Sequence, residues 1–200
     1  MPAPEDPMIQ LPTHVLYEDQ DATMTTTLTQ TIELAAGANW VSFNVDITLD
    51  QLKAALVAVS PEATIKISGQ STSITYVPRT HRWTGNLNWD LAKMYIIRVT
   101  DACEISLEGM PINPAEHPVT IVKGTNYIGF PFTENMSLTD AFAGFAINGD
   151  KILSKSGNAT YNRNRWQGQS VTNLEPGKGY IYKSNSTEDR PFVFPTNAKK

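Results

Sequence analysis

The sequence predicts a mainly β protein in which a small β-sandwich or barrel-like unit occurs twice in tandem, with one short helix in each copy. The first observation behind this prediction is a heptapeptide that occurs as GANWVSF at 37–43 and as GTNYIGF at 124–130. The second is a succession of short segments that alternate polar and apolar residues, as half-buried strands do. The third is a single amphipathic segment in each copy that begins at a helix-capping residue.

The repeat continues past the heptapeptide in the same order. TLDQLKAAL at 48–56 matches SLTDAFAGF at 137–145, and ITYVPRTHRWTG at 74–85 matches ATYNRNRWQG at 159–168. The offset changes by a few residues between blocks, so small insertions separate them, as loops tolerate. We therefore predict a tandem duplication with an extended leader (1–28), a first repeat unit (29–110), a proline-rich joint (111–118), a second repeat unit (119–196) and a tail (197–200).

The leader is rich in proline and polar residues, so we expect an extended segment that contributes at most one edge strand. TQTIELAAG and NWVSFNV then alternate polar and apolar residues, which predicts two strands joined in a hairpin. Gly37, and Gly124 in the second copy, would supply the positive φ of the turn. On the second strand, Val41, Phe43 and Val45 would face the core.

Each copy then offers one helix. Thr48 with Gln51, and Ser137 with Asp140, are start signals in which a side-chain oxygen accepts from a free backbone N–H. Apolar residues follow at helical spacing and would pack on the sheet; they are Leu49, Leu52, Leu56 and Val59 in the first copy and Leu138, Ala141, Phe142 and Phe145 in the second. The rest of each copy is predicted to form short strands, about six or seven per copy.

Composition argues against several partners. The chain has 16 basic and 20 acidic residues, a net charge of −4 and no block of like sign, so neither nucleic acid nor an anionic membrane is expected to bind it. No apolar run approaches the roughly 18 residues of a membrane span, so we expect no membrane insertion. The single cysteine, Cys103, excludes an intrachain disulfide and is predicted to be a small residue of a strand. We expect a monomer.

No motif of catalysis or metal binding is present in the sequence. The three histidines lie in unrelated segments, without the spacing of metal ligands, and no nucleophile elbow, phosphate-binding loop or dinucleotide fingerprint occurs. Paired carboxylates fall in polar, loop-like text, where a solvated surface is the simpler interpretation. We therefore predict no enzyme activity, no catalytic residue, no metal and no cofactor.

Aromatic residues give the candidate ligand site. Trp83 and Trp166 each follow an arginine, Arg82 and Arg165, and each precedes a glycine by two residues, so both could stack on sugar rings. The alternative is that each tryptophan packs over its own repeat's helix, with the glycine giving the indole room, and we favour such packing because a residue kept in both copies more often reflects the shared fold. Trp89 has no aromatic counterpart in the second copy. If exposed, it would be the better ligand candidate, or else a contact between the repeats.

The succession G-x-N-[WY]-[VI]-x-F, capped helix, lysine-containing strand, Y…RW-x-G and LEPGKGYIY resembles a duplicated module found near the ends of secreted and cell-surface, adhesin-like proteins of anaerobic gut-type bacteria. The resemblance covers Gln30 to Pro195. LEPGKGY is intact in the second copy, whereas the first has LAKMY at 91–95, without the proline and both glycines. The resemblance implies a β-rich fold, an extracellular or cell-surface location and an accessory or structural role without chemistry.

Two functions follow as hypotheses. The first is a non-catalytic module of a bacterial cell-surface or secreted protein, which binds a glycan or a host or matrix protein, or spaces neighbouring domains. The alternative is a carbohydrate-binding accessory domain of a glycan-processing enzyme. Binding would require a concave surface with two or more exposed aromatic side chains and convergent polar groups. The candidate ligand residues are Arg82, Trp83, Trp89, Arg165 and Trp166.

Overall fold

The computed structural model describes residues 26–168 and 170–196. The predicted tail, and the predicted leader except for its last three residues, lie outside the described residues. The described chain is mainly β, as the sequence predicts: most of its regular structure is antiparallel strand, and it contains two α-helices.

The first half contains two sheets and the longer helix. Its elements are β1 (Leu28–Leu34), β2 (Gly37–Val41), β3 (Val45–Asp46), α1 (Leu49–Val59), β4 (Ile65–Ser68), β5 (Ser73–Val77), β6 (Arg82–Asn86), β7 (Tyr95–Val99) and β8 (Cys103–Pro111). A five-stranded antiparallel sheet has the order β2-β7-β4-β5-β6, and a smaller sheet has the order β1-β8-β3. Helix α1 contacts β8, so it covers the smaller sheet.

The second half follows a short 3-10 turn at Pro114–Glu116. Its elements are β9 (Val119–Ile121), β10 (Gly124–Ile128), β11 (Met136–Ser137), α2 (Leu138–Ala141), β12 (Lys151–Leu153), β13 (Asn158–Asn162), β14 (Arg165–Gln167), β15 (Asn173–Leu174), β16 (Tyr180–Ser184) and β17 (Arg190–Phe192). A five-stranded sheet has the order β10-β16-β12-β13-β14, β17 pairs with β9, and β11 pairs with β15.

The two five-stranded sheets have the same strand order. Strands β2, β7, β4, β5 and β6 take the same places in the first sheet as β10, β16, β12, β13 and β14 take in the second. Each half also has its own hydrophobic core, and Phe43 and Phe130, at matched positions of the repeated heptapeptide, are both fully buried. Equal strand order is what a duplication requires; the duplication itself stays a prediction.

The predicted hairpin of the first two strands is wrong. Strand β1 pairs with β8, and β2 pairs with β7, so the turn at 35–37 passes the chain from the smaller sheet to the larger one. Gly37 does adopt a positive φ of 93°. The side chain of Asn39 accepts from Ala35 N (3.1 Å) and donates to Ala35 O (2.8 Å). It therefore bonds the two backbone groups that a hairpin partner would otherwise engage.

The two predicted helices differ in length. Helix α1 begins at Thr48 with a complete capping box to Gln51 and runs for 11 residues. Val59, at its end, is 43% exposed and does not belong to the buried stripe. Helix α2 is only four residues long: Phe142 is its C-cap, and the chain continues through a turn in which Gly144 adopts a positive φ of 69°.

Candidate functional site

A cleft of about 530 Å³ opens where the two halves meet. Its first wall is formed by β1 and β2 of the first half. Its second wall is formed by the loop at 154–156, the segment at 170–173 and the turn at 175–179 of the second half. The sequence repeat does not predict this cleft, because local patterns do not show which surface of one half contacts the other half.

Backbone hydrogen bonds fix one end of this cleft. Trp40 O accepts from Gly179 N (3.1 Å), and Ser42 N donates to Gly177 O (3.1 Å). The hydroxyl of Ser42 also donates to Lys178 O (2.7 Å). The turn at 175–179, the EPGKG of the sequence, therefore continues the edge of β2 for a short distance. We call this contact the first junction.

A second junction repeats one backbone bond of the first with the halves exchanged. Gly129 N donates to Ala92 O (2.8 Å), and these residues match Ser42 and Gly177 in the sequence repeat. The halves are thus related by an approximate twofold arrangement, in which the end of the first strand of each large sheet meets the turn of the other half. The motif LAKMY, which lacks the glycines, forms the second junction.

Two matched residues meet each other between these junctions. Met94 and Gly179 occupy equivalent positions in LAKMY and LEPGKGY, and both are buried. A Cβ atom added to Gly179 would lie 2.5 Å from Met94 Cβ and 3.0 Å from Val41 O. Glycine is required there because the backbone of the turn approaches the methionine side chain too closely for any other residue.

Buried tyrosines hold both turns in place. Tyr180 Oη accepts from Glu175 N (2.8 Å), and Tyr95 Oη accepts from Asp90 N (2.6 Å) at the matched position. Burial raises the pKa of each phenol to about 12. Both phenols are therefore neutral near pH 7 and act as hydrogen-bonding groups.

The lining of the cleft is polar with one half-exposed aromatic ring. Trp40 is half-buried on the first wall, whereas Tyr180 also lines the cleft but is only 1% exposed. The polar lining residues are Glu33, Asn39, Ser154, Lys155, Ser156, Ser170, Thr172, Asn173, Glu175 and Lys178. Lys178 is paired with Glu175 at 2.6 Å within the turn. The cleft thus has one accessible aromatic ring rather than two, with polar groups of both charges around it.

The five predicted ligand residues lie elsewhere. None of them lines the cleft. Trp83 lies on β6, at the outer edge of the first large sheet, and packs against Tyr76 with ring centroids 5.5 Å apart. Trp166 lies on the matching edge strand β14 and packs against Phe142 at 5.6 Å. Arg82 and Arg165 are exposed beside them, on two separate sheets.

The contacts of the Trp89 side chain are with residues of the first half. Its ring stacks on Tyr95 with centroids 4.7 Å apart and contacts Phe43 at 5.3 Å, and its Nε1 donates to Ile47 O (3.1 Å). The position that matches Trp89 in the second half is Leu174, which is fully buried. Trp89 is half-buried, and its ring and N–H are engaged within the first half.

A buried charged cluster lies in the second half. The carboxylate of Asp150, fully buried, accepts from Ile147 N (3.0 Å), Asn185 N (2.7 Å), Arg190 Nη2 (3.1 Å) and the hydroxyl of Tyr182. Burial and the bond to Asp150 raise the pKa of Tyr182. The donors occupy both carboxylate oxygens, so the cluster ties together the turns around 147–150 and 184–186.

The comparisons with known proteins add nothing to this geometry. No family model, no curated protein and no solved structure matches the chain. Within 26–168 and 170–196, no group of three or more His, Cys, Asp and Glu side chains could hold a metal ion. No helix in the same ranges is long and apolar enough to cross a membrane.

Proposed function

We propose that this chain is a non-catalytic, ligand-binding module of a bacterial cell-surface or secreted protein, and that the cleft between its halves is the binding site. The observation that carries the proposal is the cleft itself. It has one half-exposed tryptophan, fewer than the two aromatic side chains that the sequence criterion set, together with hydroxyl, amide and charged groups on two facing walls. Ligand sites are concave and combine apolar contact with a few polar groups that fix orientation.

Four ionisable groups of the second half support the non-catalytic part of the proposal. Lys178 and Glu175 are paired with each other, and Tyr180 holds the turn as a neutral phenol. Asp150 is enclosed by donors. General acid–base chemistry needs a group whose pKa lies near the working pH and whose proton is free to move.

The location rests on the resemblance to secreted, adhesin-like modules, and the expected ligand is a host or matrix protein. The alternative ligand is a carbohydrate, which would make the chain an accessory domain of a glycan-processing enzyme. Trp40 favours a carbohydrate ligand. Its indole lines the cleft with Ser154, Ser156 and Asn173, so it offers a stacking face with hydroxyl and amide neighbours.

The experiment is a binding screen of the purified chain on a glycan array and on a panel of host matrix proteins. Trp40→Ala should weaken any binding that is found by about tenfold or more, since a central aromatic carries much of the affinity at such a site. Trp40→Tyr, which introduces the residue of the matched position Tyr127, should retain part of it. Melting curves of each variant check that the fold is kept.

Variants outside the cleft distinguish a binding site in the cleft from one at the outer edges of the sheets. Arg82→Ala with Arg165→Ala should leave binding within about twofold, because neither arginine lines the cleft. Binding that survives Trp40→Ala and is lost in the arginine double variant would move the site to the outer edges of the sheets. Turnover of any glycan on the array would contradict a non-catalytic module.

A further inference from the structure

One strand edge at the cleft has open backbone groups. Trp40 O accepts from Gly179 N across the first junction, so the backbone of Trp40 is directed away from β7. In an extended strand the N–H and C=O of one residue point to the same side, and the next residue but one repeats that direction. Trp40 N–H and Ala38 C=O therefore point out from the β2 edge, and neither has a partner among the described residues.

The matched edge in the second half is closed by a glutamine. Gln70 Nε2 donates to Thr125 O (2.9 Å), and Gln70 Oε1 accepts from Tyr127 N (2.9 Å). Thr125 and Tyr127 are the counterparts of Ala38 and Trp40 in the repeated heptapeptide. One carboxamide thus satisfies a C=O and an N–H that are two residues apart.

A second glutamine makes the same pair of bonds elsewhere. Gln30 Nε2 donates to Ser42 O (3.1 Å), and Gln30 Oε1 accepts from Asn44 N (3.0 Å). Two side chains in this molecule therefore bind this backbone pattern in one geometry, which shows that a primary carboxamide fits it.

The counterpart of Gln70 at the open edge is Lys155. The sequence repeat aligns IKISGQS with DKILSKS, and Lys155 lines the cleft. An ammonium group has donors and no acceptor, so it cannot receive a hydrogen bond from Trp40 N–H. The chain closes one edge with its own side chain and leaves the matched edge open at the cleft.

We propose that the cleft binds the primary carboxamide of a glutamine or asparagine side chain on a partner polypeptide. Its NH₂ would donate to Ala38 O, and its oxygen would accept from Trp40 N–H. This inference rests on the proposed function, since it specifies the ligand of the same cleft. A carboxylate lacks the donor, and a trans secondary amide, such as the acetamido group of a sugar, directs its N–H and C=O to opposite sides.

The test is a titration of the full chain, labelled with ¹⁵N, with propionamide. N-methylacetamide and propionate are the matched controls. Propionamide should shift the backbone N–H resonance of Trp40, and the two controls should shift it less than half as far at equal concentration. An equal response to N-methylacetamide or to propionate would overturn the proposal, as would no response to propionamide.

Two exchanged variants make the test specific to the edge. Lys155→Gln should supply the carboxamide from within the chain, remove the response to propionamide and slow hydrogen exchange at Trp40 N–H by about tenfold or more. Gln70→Lys should open the other edge and create a response at Tyr127 N–H. Slow exchange at Trp40 N–H in the unliganded wild-type chain would show that the edge is already closed, and would overturn the proposal.

The two proposals fail separately. If array binding depends on Trp40 but propionamide gives no response, the cleft remains the proposed binding site and the carboxamide is excluded as its ligand. A partner peptide without glutamine or asparagine that protects Trp40 N–H equally well would assign the edge to backbone pairing instead, and would also overturn the carboxamide.

Discussion

Asn39 and Asn126 explain why the repeated heptapeptide contains an asparagine. Asn39 is buried and bonds to both backbone groups of Ala35, and Asn126 does the same with Val122 at 2.9 and 2.8 Å. Each carboxamide also reaches the neighbouring strand, at Ile97 O and Tyr182 O. The third residue of the pattern therefore fixes the passage between two sheets, a role that alternation of polar and apolar residues cannot show.

Removing one of these side chains should destabilise the protein. Asn39→Ala leaves the N–H and C=O of Ala35 without their partner, so we expect a loss of about 1 to 3 kcal/mol in the free energy of unfolding. Asn86→Ala, at an exposed position of β6, is the control and should change it by less than about 0.5 kcal/mol. Equal midpoints for the two variants in urea unfolding would contradict this role.

Tyr95 and Tyr180 predict a loss of stability at alkaline pH. Their pKa is raised to about 12 in the folded chain, so the unfolded chain releases these protons first as the pH rises. The contribution of these two tyrosines to stability should be constant below about pH 10 and should fall from there to about pH 12, by about 1.4 kcal/mol per pH unit for each tyrosine. Urea unfolding across this range measures the slope, and Tyr95→Phe with Tyr180→Phe should reduce it. An unchanged slope in that variant would refute the assignment.

At the scale of elements, the sequence was informative wherever the determinants were local. Helix α1 follows from Thr48, Gln51 and the apolar stripe, all of which lie within a dozen residues. The hairpin prediction failed because pairing of β1 with β8 joins residues more than 60 positions apart. Helix α2 is shorter than its stripe predicts: it ends at the C-cap Phe142, and Arg190, which is distant in sequence, bonds to Phe145 O in the turn that follows.

The turn of the first junction should depend on its glycine. Gly179→Ala places a Cβ 2.5 Å from Met94 Cβ, so we expect a destabilisation of about 1 to 3 kcal/mol by overpacking. Gly69→Ala is the control, since its nearest contact would be an ordinary 3.5 Å. Adding Met94→Gly to Gly179→Ala removes the Cβ atom that the new alanine would meet and should restore part of the loss, and a double-mutant cycle measures the coupling. Strictly additive changes in the free energy of unfolding would show that the two residues are not in steric conflict.

At the scale of the whole molecule, the mainly β class followed from the sequence, but the cleft did not. Trp40 belongs to the repeated heptapeptide and EPGKG to the second-copy motif LEPGKGY, but neither pattern predicts that the two segments meet. Their contact depends on the position of one core relative to the other. The spacing of residues within one copy does not predict that relative position. Trp89 is a candidate ligand residue in the sequence because it has no aromatic counterpart. Its matched residue Leu174 is fully buried, which shows that the position belongs to the core.

The two junctions predict that the halves can reassemble. Each half has its own core, and reciprocal backbone bonds join them, so a chain cut at the exposed Glu116 should form a complex of the two fragments with the mass of the intact chain. Sedimentation of the mixed and separate fragments measures this. Gly179→Ala in the second fragment should weaken the complex, whereas Gly69→Ala in the first should not. Folded fragments that never associate would show that the junctions contribute little.

The meeting of Met94 with Gly179 also bears on what a single unit could have done alone. In a symmetric dimer of identical units, a residue beside the twofold axis faces its own copy. Two methionines at this point would overfill the space, and two glycines would leave a void. A tandem chain escapes that restriction, because its two copies are free to carry a large and a small residue at one shared point. On the proposed duplication, the same freedom lets Gln70 bond to the strand edge of the second half while Lys155 stands at the matched position, so covalent linkage permits the two strand edges to differ.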